Sequence, residues 1–216
     1  MKTFDRLLLA SGLLIPLWLL LGVTLTALAY PGYDHLQQAM SQLGAVDAPT
    51  HGLSPWVNNF PLALLFTLFA WGLARRWRHS KLARLSALLV LLHGLGSLVT
   101  GGFACDQGCA PLQPSVSQQM HNLGGLLMFF SLTLASMLWI GLGTRLARSP
   151  GLAWGSLLSA LLAVLTVVLM AKSVHSSELF GLYQRLNYGV GVLWIAALAL
   201  QSLRTRQHDG LQMAIA

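Results

Sequence analysis

Charge is what this sequence has least of. Only 9% of its 216 residues are Asp, Glu, Lys or Arg, where a soluble domain carries about 25%. So few ions cannot keep a folded surface in water, and with 55% hydrophobic residues and a mean hydropathy of +0.65 the natural solvent is lipid. Cysteine is also nearly missing, with Cys105 and Cys109 the only two. No internal repeat is evident, so an inverted-repeat transporter gains no support. The net charge of +7 is not a nucleic-acid footprint, because the basic residues fall in short clusters between apolar runs and build no basic face interleaved with aromatics.

What is present is a series of long apolar runs. A spanning helix needs about 20 mainly apolar residues. Six runs meet that requirement, at 7–29, 56–74, 85–103, 121–143, 151–171 and 186–203, and none contains a Lys, Arg, Asp or Glu. The segments between them alternate in charge. Lys2 and Arg6, then Arg75, Arg76, Arg78, Lys81 and Arg84, then Arg145 and Arg148, then Arg204 and Arg206 lie on one side, eleven of the 13 cations. The other side holds Lys172 and Arg185 with four of the six acids, Asp34, Asp47, Asp106 and Glu178. Positive charge stays cytoplasmic. The expectation is an all-α, six-helix transmembrane bundle, one unit over residues 1–216, with both termini in the cytoplasm. The first run is preceded by a signal-like basic segment and ends in Ala27-Leu28-Ala29, but its length favours a retained anchor over a cleaved signal.

The first outer segment, 30–55, is long enough to carry function. Asp34 followed by Gln37 and Gly44, with Leu36, Met40 and Leu43 at helical spacing, predicts a short amphipathic helix over the mouth of the bundle. Paired glycines (Gly94 and Gly96, Gly101 and Gly102, Gly124 and Gly125, Gly189 and Gly191) predict close packing of helices 3, 4 and 6.

Few residues can carry chemistry. Cys105 and Cys109, external and three residues apart, are expected to form a structural disulfide; their spacing is not that of a thiol oxidoreductase and suggests no thiolate metal site. The outer side gathers Asp34, His35, Ser41, His51, Asp106, His121, His175, Glu178 and Arg185. Carboxylate and imidazole together can do acid–base work or bind a zinc-type metal, with Ser or water as nucleophile. Their spacing matches no metal-binding helix, so no metal is assigned and the cofactor is left unknown. The same residues are also ordinary loop and capping residues, and that reading weighs more. His93 sits near the middle of helix 3, where a polar side chain either serves function or bonds across a helix interface. Arg185 can pair with Asp106 or Glu178, or hold a lipid phosphate.

Tyr30-Pro31-Gly32-Tyr33 followed by Met40-Ser41-Gln42-Leu43-Gly44 resembles the first-loop signature of the bacterial membrane proteins catalogued as domain of unknown function 998. Gly101-Gly102-Phe103-Ala104-Cys105-Asp106, then His121-Asn122, and Gln184-Arg185 are similar too. The resemblance spans about residues 7–203 and implies a multi-pass protein of the bacterial inner membrane. More distantly, the layout resembles six-helix eukaryotic membrane proteins that include a factor for lipid remodelling of GPI anchors. That likeness implies Ser41, Asp106, His121 and Arg185 as site residues.

The functional expectation is an outward-facing polar pocket that binds, or acts on, a lipid or another amphiphile. In its hydrolase- or transferase-like form His121 is general base, Asp106 its orienting partner or a metal ligand, Ser41 a nucleophile, Arg185 a phosphate clamp, and His175 and His93 contact the substrate. The alternative is a non-enzymatic protein, either a small transporter or an accessory factor. Membrane lipids are the expected partners, nucleic acid is not, and the oligomeric state is open. Reporter fusions at Ala216 and in the 75–84 segment are expected to read cytoplasmic, and one in the 30–55 segment external; an external reading at Ala216 would overturn the six-helix count.

Overall fold

The computed structural model describes residues 1–174 and 178–205. It is all helical, with six long helices: α1 (Thr3–Leu28), α2 (Phe60–Arg76), α3 (Lys81–Gly102), α4 (Val116–Arg145), α5 (Pro150–Ser173) and α6 (Phe180–Arg204). All six are long and apolar enough to cross a membrane, and the chain is a multi-pass membrane protein. Large apolar side chains such as Leu17, Leu20, Leu158 and Leu161 cover the outside, where lipid replaces water at no cost.

Five of the six helices are longer than their apolar runs, α2 being the exception, and three of them start on a polar capping residue. Ser80, Ser115 and Ser149 accept backbone N–H bonds from Ala83, Gln118 and Leu152 and so start α3, α4 and α5. Pro150 follows its cap directly, at the helical position where a missing N–H costs nothing. Helix α4 therefore begins at Val116, and His121 lies one turn inside it. A π-helical turn, Pro55–Asn59, leads into α2, and Trp18 donates to the Val57 carbonyl in that turn over 2.8 Å.

The helices form a closed ring. Each packs on its neighbours in chain order, and α1 closes the ring against α6. The two termini share one end: Arg75 at the foot of α2 pairs with Asp5 at the start of α1 (2.7 Å), and the buried Arg76 donates to the Thr205 carbonyl just past α6 (2.8 Å). In this terminal half the centre of the ring is solid. Phe66, Phe69, Leu73, Trp139, Ile195 and Leu198 are buried there with Trp77 and Trp194. Each indole N–H meets a serine on another helix, Trp139 on Ser86 (2.8 Å), Trp194 on Ser156 (2.9 Å) and Trp77 on Ser202 (3.4 Å). These bonds let wide aromatic rings fill the centre without stranding a polar atom.

Two expectations need correction. No amphipathic helix forms in the first loop. Asp34 does accept from the Leu36 and Gln37 N–H groups, but Ala39 is extended and only a short 3₁₀ turn, Met40–Gly44, follows. Leu43 is buried while Leu36 is half exposed, so the expected stripe is split: the backbone here is held by tertiary bonds, such as the Met40 N–H to Gln184 Oε1 on α6 at 2.6 Å. The glycines also divide. Gly96 and Gly124 bring α3 against α4, since a Cβ on Gly96 would lie 2.6 Å from Met128 Cγ and 3.0 Å from the Gly124 carbonyl oxygen. Gly102, Gly125 and Gly189 have no such neighbour.

Gly96→Val is expected to destabilise the bundle by about 1–3 kcal/mol through overpacking. Gly141→Ala, where a Cβ meets nothing within 4 Å, should leave stability unchanged or slightly raised. Thermal unfolding in a fixed detergent compares them, and equal melting of both variants would remove the close α3–α4 contact as a cause of stability.

Candidate functional site

The half of the ring away from the termini is hollow. A cavity of about 720 Å³ runs from the loops at that end down to His93 on α3 and Tyr188 on α6. Below it the packed core closes the path, with Phe66 ring-to-ring at 4.3 Å from His93. The cavity is thus a blind pocket and not a channel through the bundle.

Its floor is a defined hydrogen-bonded couple. His93 Nδ1 lies 2.9 Å from the Met128 carbonyl, which can only accept, so Nδ1 carries the proton. Nε2 is then the lone-pair nitrogen and takes the Tyr188 hydroxyl at 3.2 Å. His93 therefore bonds across α3, α4 and α6 and also lines the cavity.

Above the floor the walls differ. On one side the Pro55–Asn59 turn, α3 and α4 present Asn58, Asn59, Ser97, Thr100, Gln118, His121 and Asn122. Asn59 donates to Thr100 Oγ1 (3.0 Å), Ser97 to the Asn59 carbonyl (2.9 Å), and Gln118 to Asn122 Oδ1 (2.8 Å). Asn58 is held by Thr26 and Ser54 at 3.0 and 3.3 Å. On the other side Leu126, Phe129, Val167, Met170 and Val174, from α4, α5 and the end of α5, are apolar. Gln184 and Asn187 on α6 join the two walls, Gln184 accepting from the Met40 N–H (2.6 Å) and Asn187 donating to Thr166 Oγ1 (2.9 Å).

The residues singled out from the sequence take separate places. Ser41, His93 and His121 line the cavity. His121 donates from Nδ1 to the Phe103 carbonyl at 2.9 Å, which leaves Nε2 with the lone pair. Asp106 does not orient it. The Asp106 carboxylate accepts from the Ser115 hydroxyl (2.6 Å) and N–H (2.9 Å), and these two bonds hold its pKa below the ordinary carboxylate value. Since Ser115 also caps α4, the acid organises the α3–α4 loop instead. Arg185 joins neither of them. Its guanidinium donates to the carbonyls of His35 (2.6 Å), Gln38 (3.0 Å) and Gly181 (2.9 Å) and to the Tyr33 hydroxyl (2.8 Å). The expected phosphate clamp is thereby a clamp on the first loop. Burial pushes the Tyr33 pKa up despite Arg185, keeping the hydroxyl protonated so that it donates onward to the Ala39 carbonyl at 2.7 Å. His175 lies outside the described residues. Among those described, no three His, Cys, Asp or Glu stand close enough to hold a metal ion.

The Cys105–Cys109 disulfide is formed. It sits at the rim, where Gly108 and Cys109 line the mouth. The loop it closes meets the first loop at two points: Val46 donates to the Cys105 carbonyl (2.9 Å), and Gln42 donates to the Gly108 carbonyl (3.0 Å). The residues that sequence reasoning passed over are the neutral amides, Asn58, Asn59, Gln118, Asn122, Gln184 and Asn187. The available signal was their presence within or beside membrane runs, where a polar group is expensive unless it is used.

Arg185→Lys keeps the charge and loses the planar fork. Amide exchange over residues 33–42 is expected to rise by about ten-fold or more as the loop loosens. Unchanged protection there would show that the clamp does not hold the loop.

The family model described as "Protein of unknown function (DUF998)" matches residues 13–201. No curated protein and no solved structure matches the chain. A match over nearly all six helices, with a blind polar pocket at the centre of their ring, places the chain in the DUF998 family of membrane proteins.

Proposed function

We propose that this protein binds an amphiphile, a lipid or a molecule built like one, in the cavity of its hollow half. The observation that carries the reading is the division of the cavity wall. One side offers amides, hydroxyls and imidazoles, and the other is mainly apolar, with Leu126, Phe129, Val167, Met170 and Val174 outnumbering Thr133 and Ser159. A ligand with a polar end and a hydrocarbon end satisfies both, and a volume of about 720 Å³ falls in the range of small-molecule sites. A wholly apolar ligand would leave the polar wall without water or partner, which is costly.

The blind floor favours binding over passage. A transporter needs a polar route to the other side, and beneath His93 large apolar side chains, Phe66, Phe69, Trp139 and Ile195 among them, pack the core. A hydrolase- or transferase-like extension of this reading rests on His121, whose lone-pair Nε2 suits a general base, with Ser41 in the same cavity as nucleophile. The carbonyl of Phe103 takes the orienting role expected of Asp106.

Gly125 offers a clean test. It lines the cavity, and a Cβ built on it meets nothing within 4 Å. Gly125→Leu is expected to fill part of the space, leave folding intact, and cut co-purifying amphiphile by about ten-fold in native mass spectrometry of protein released from nanodiscs. The same bound population on wild type and variant would refute the cavity as a binding site.

A further inference from the structure

We infer that the polar end of the ligand is uncharged and carries several hydroxyl groups, as in a glycosyl-diacylglycerol, and is neither a phosphate diester nor an ammonium. This rests on the amphiphile-binding reading and specifies its headgroup.

The first observation concerns charge. Among the described residues the cavity lining contains no Asp, Glu, Lys or Arg at all. Eight of the lining side chains are amides, seven are hydroxyls and two are imidazoles. The floor imidazole meets no carboxylate: Nδ1 donates to a carbonyl and Nε2 faces the Tyr188 hydroxyl. Of the charged groups at this end, Arg185 and Asp106 stand outside the lining, Arg185 with its Nη donors on loop carbonyls and Tyr33, Asp106 accepting from Ser115. An ionic headgroup entering this pocket would lose its hydration and meet no counter-charge, and burying an unpaired ion costs far more than burying a hydrogen-bonded neutral group.

The second observation concerns what the neutral groups still offer. Their bonds to one another leave both kinds of capacity in place. Gln184 uses its Oε1 on Met40 and Asn122 its Oδ1 on Gln118, so the amide N–H₂ of each has donors to spare. Asn59 and Asn187 donate from Nδ2, which leaves their carbonyl oxygens as acceptors. His121 adds an accepting Nε2. The lining thus offers both donors and acceptors. A phosphate only accepts and an ammonium only donates, so each would leave half of this wall unsatisfied. A hydroxyl does both, and a cluster of hydroxyls matches a wall of amides.

The experiment is a competition. Full-length protein in nanodiscs doped with equal amounts of monoglucosyl-diacylglycerol, phosphatidylglycerol and phosphatidylcholine, all with the same acyl chains, is released and weighed by native mass spectrometry. The glycosyl lipid is expected to be retained with about ten-fold or greater preference, a difference of about 1.4 kcal/mol, and Gly125→Leu should abolish that retention. Asn122→Lys, which places a cation in the wall, should shift the preference toward phosphatidylglycerol. Retention of either phospholipid as well as, or better than, the glycosyl lipid would overturn the headgroup assignment while leaving amphiphile binding intact. Retention of all three at the Gly125→Leu level would overturn the binding reading itself.

Discussion

A closed ring of six helices has a centre that no helix occupies, and everything else in this protein follows from how that centre is treated. Side chains must fill it or it stays open, because interiors tolerate few voids. In the terminal half, wide residues reach inward from α2, α4 and α6. Trp77, Trp139 and Trp194 supply most of the volume, with Phe66 and Phe69 beside them. In the other half no tryptophan lines the space, and it remains open above His93 and Tyr188.

A second condition, that a polar group far from water needs a partner, is met almost throughout, the Asn58 Oδ1 beside the cavity being an exception. The filled half meets it with pairs, each indole on one serine. The hollow half meets it with chains, in which Ser97, Asn59 and Thr100 bond in series and Gln118 links the disulfide loop to Asn122. Pairs are saturated and finish a core. Chains of amides keep spare donors and acceptors, and spare capacity facing a cavity is what a ligand can use.

The mouth depends on loops that cannot hold themselves. The first loop contains little regular structure, and its shape comes from contacts distant in sequence. Arg185 gathers its carbonyls from α6, and Gln184 takes the Met40 N–H. The disulfide loop secures its far edge through Gln42 and Val46. Arg185 acts here as a structural cation, supplying many donors to carbonyls that would otherwise compete for water.

Composition and the spacing of apolar runs determined the membrane class, the six helices and the single sharing of an end by both termini, because the bilayer sets helix length and every run had to be one span. Helix starts were partly legible, through Ser80, Ser115 and Ser149, whose capping is local. The disulfide was legible for the same reason, being four positions apart in one loop. His93 and His121 stood out as titratable groups at membrane depth or edge. What the chain order could not disclose was which polar groups meet. Asp106 and Arg185 lie on the expected side, yet hydrogen bonds to Ser115 and to the first-loop carbonyls claim them. The neutral amides that do line the site come from the first loop, the Pro55–Asn59 turn, α4 and α6, and only the ring brings them together. In an almost uniformly apolar helix, periodicity does not say which face turns inward, so the cavity and its chemistry were decided by tertiary packing alone.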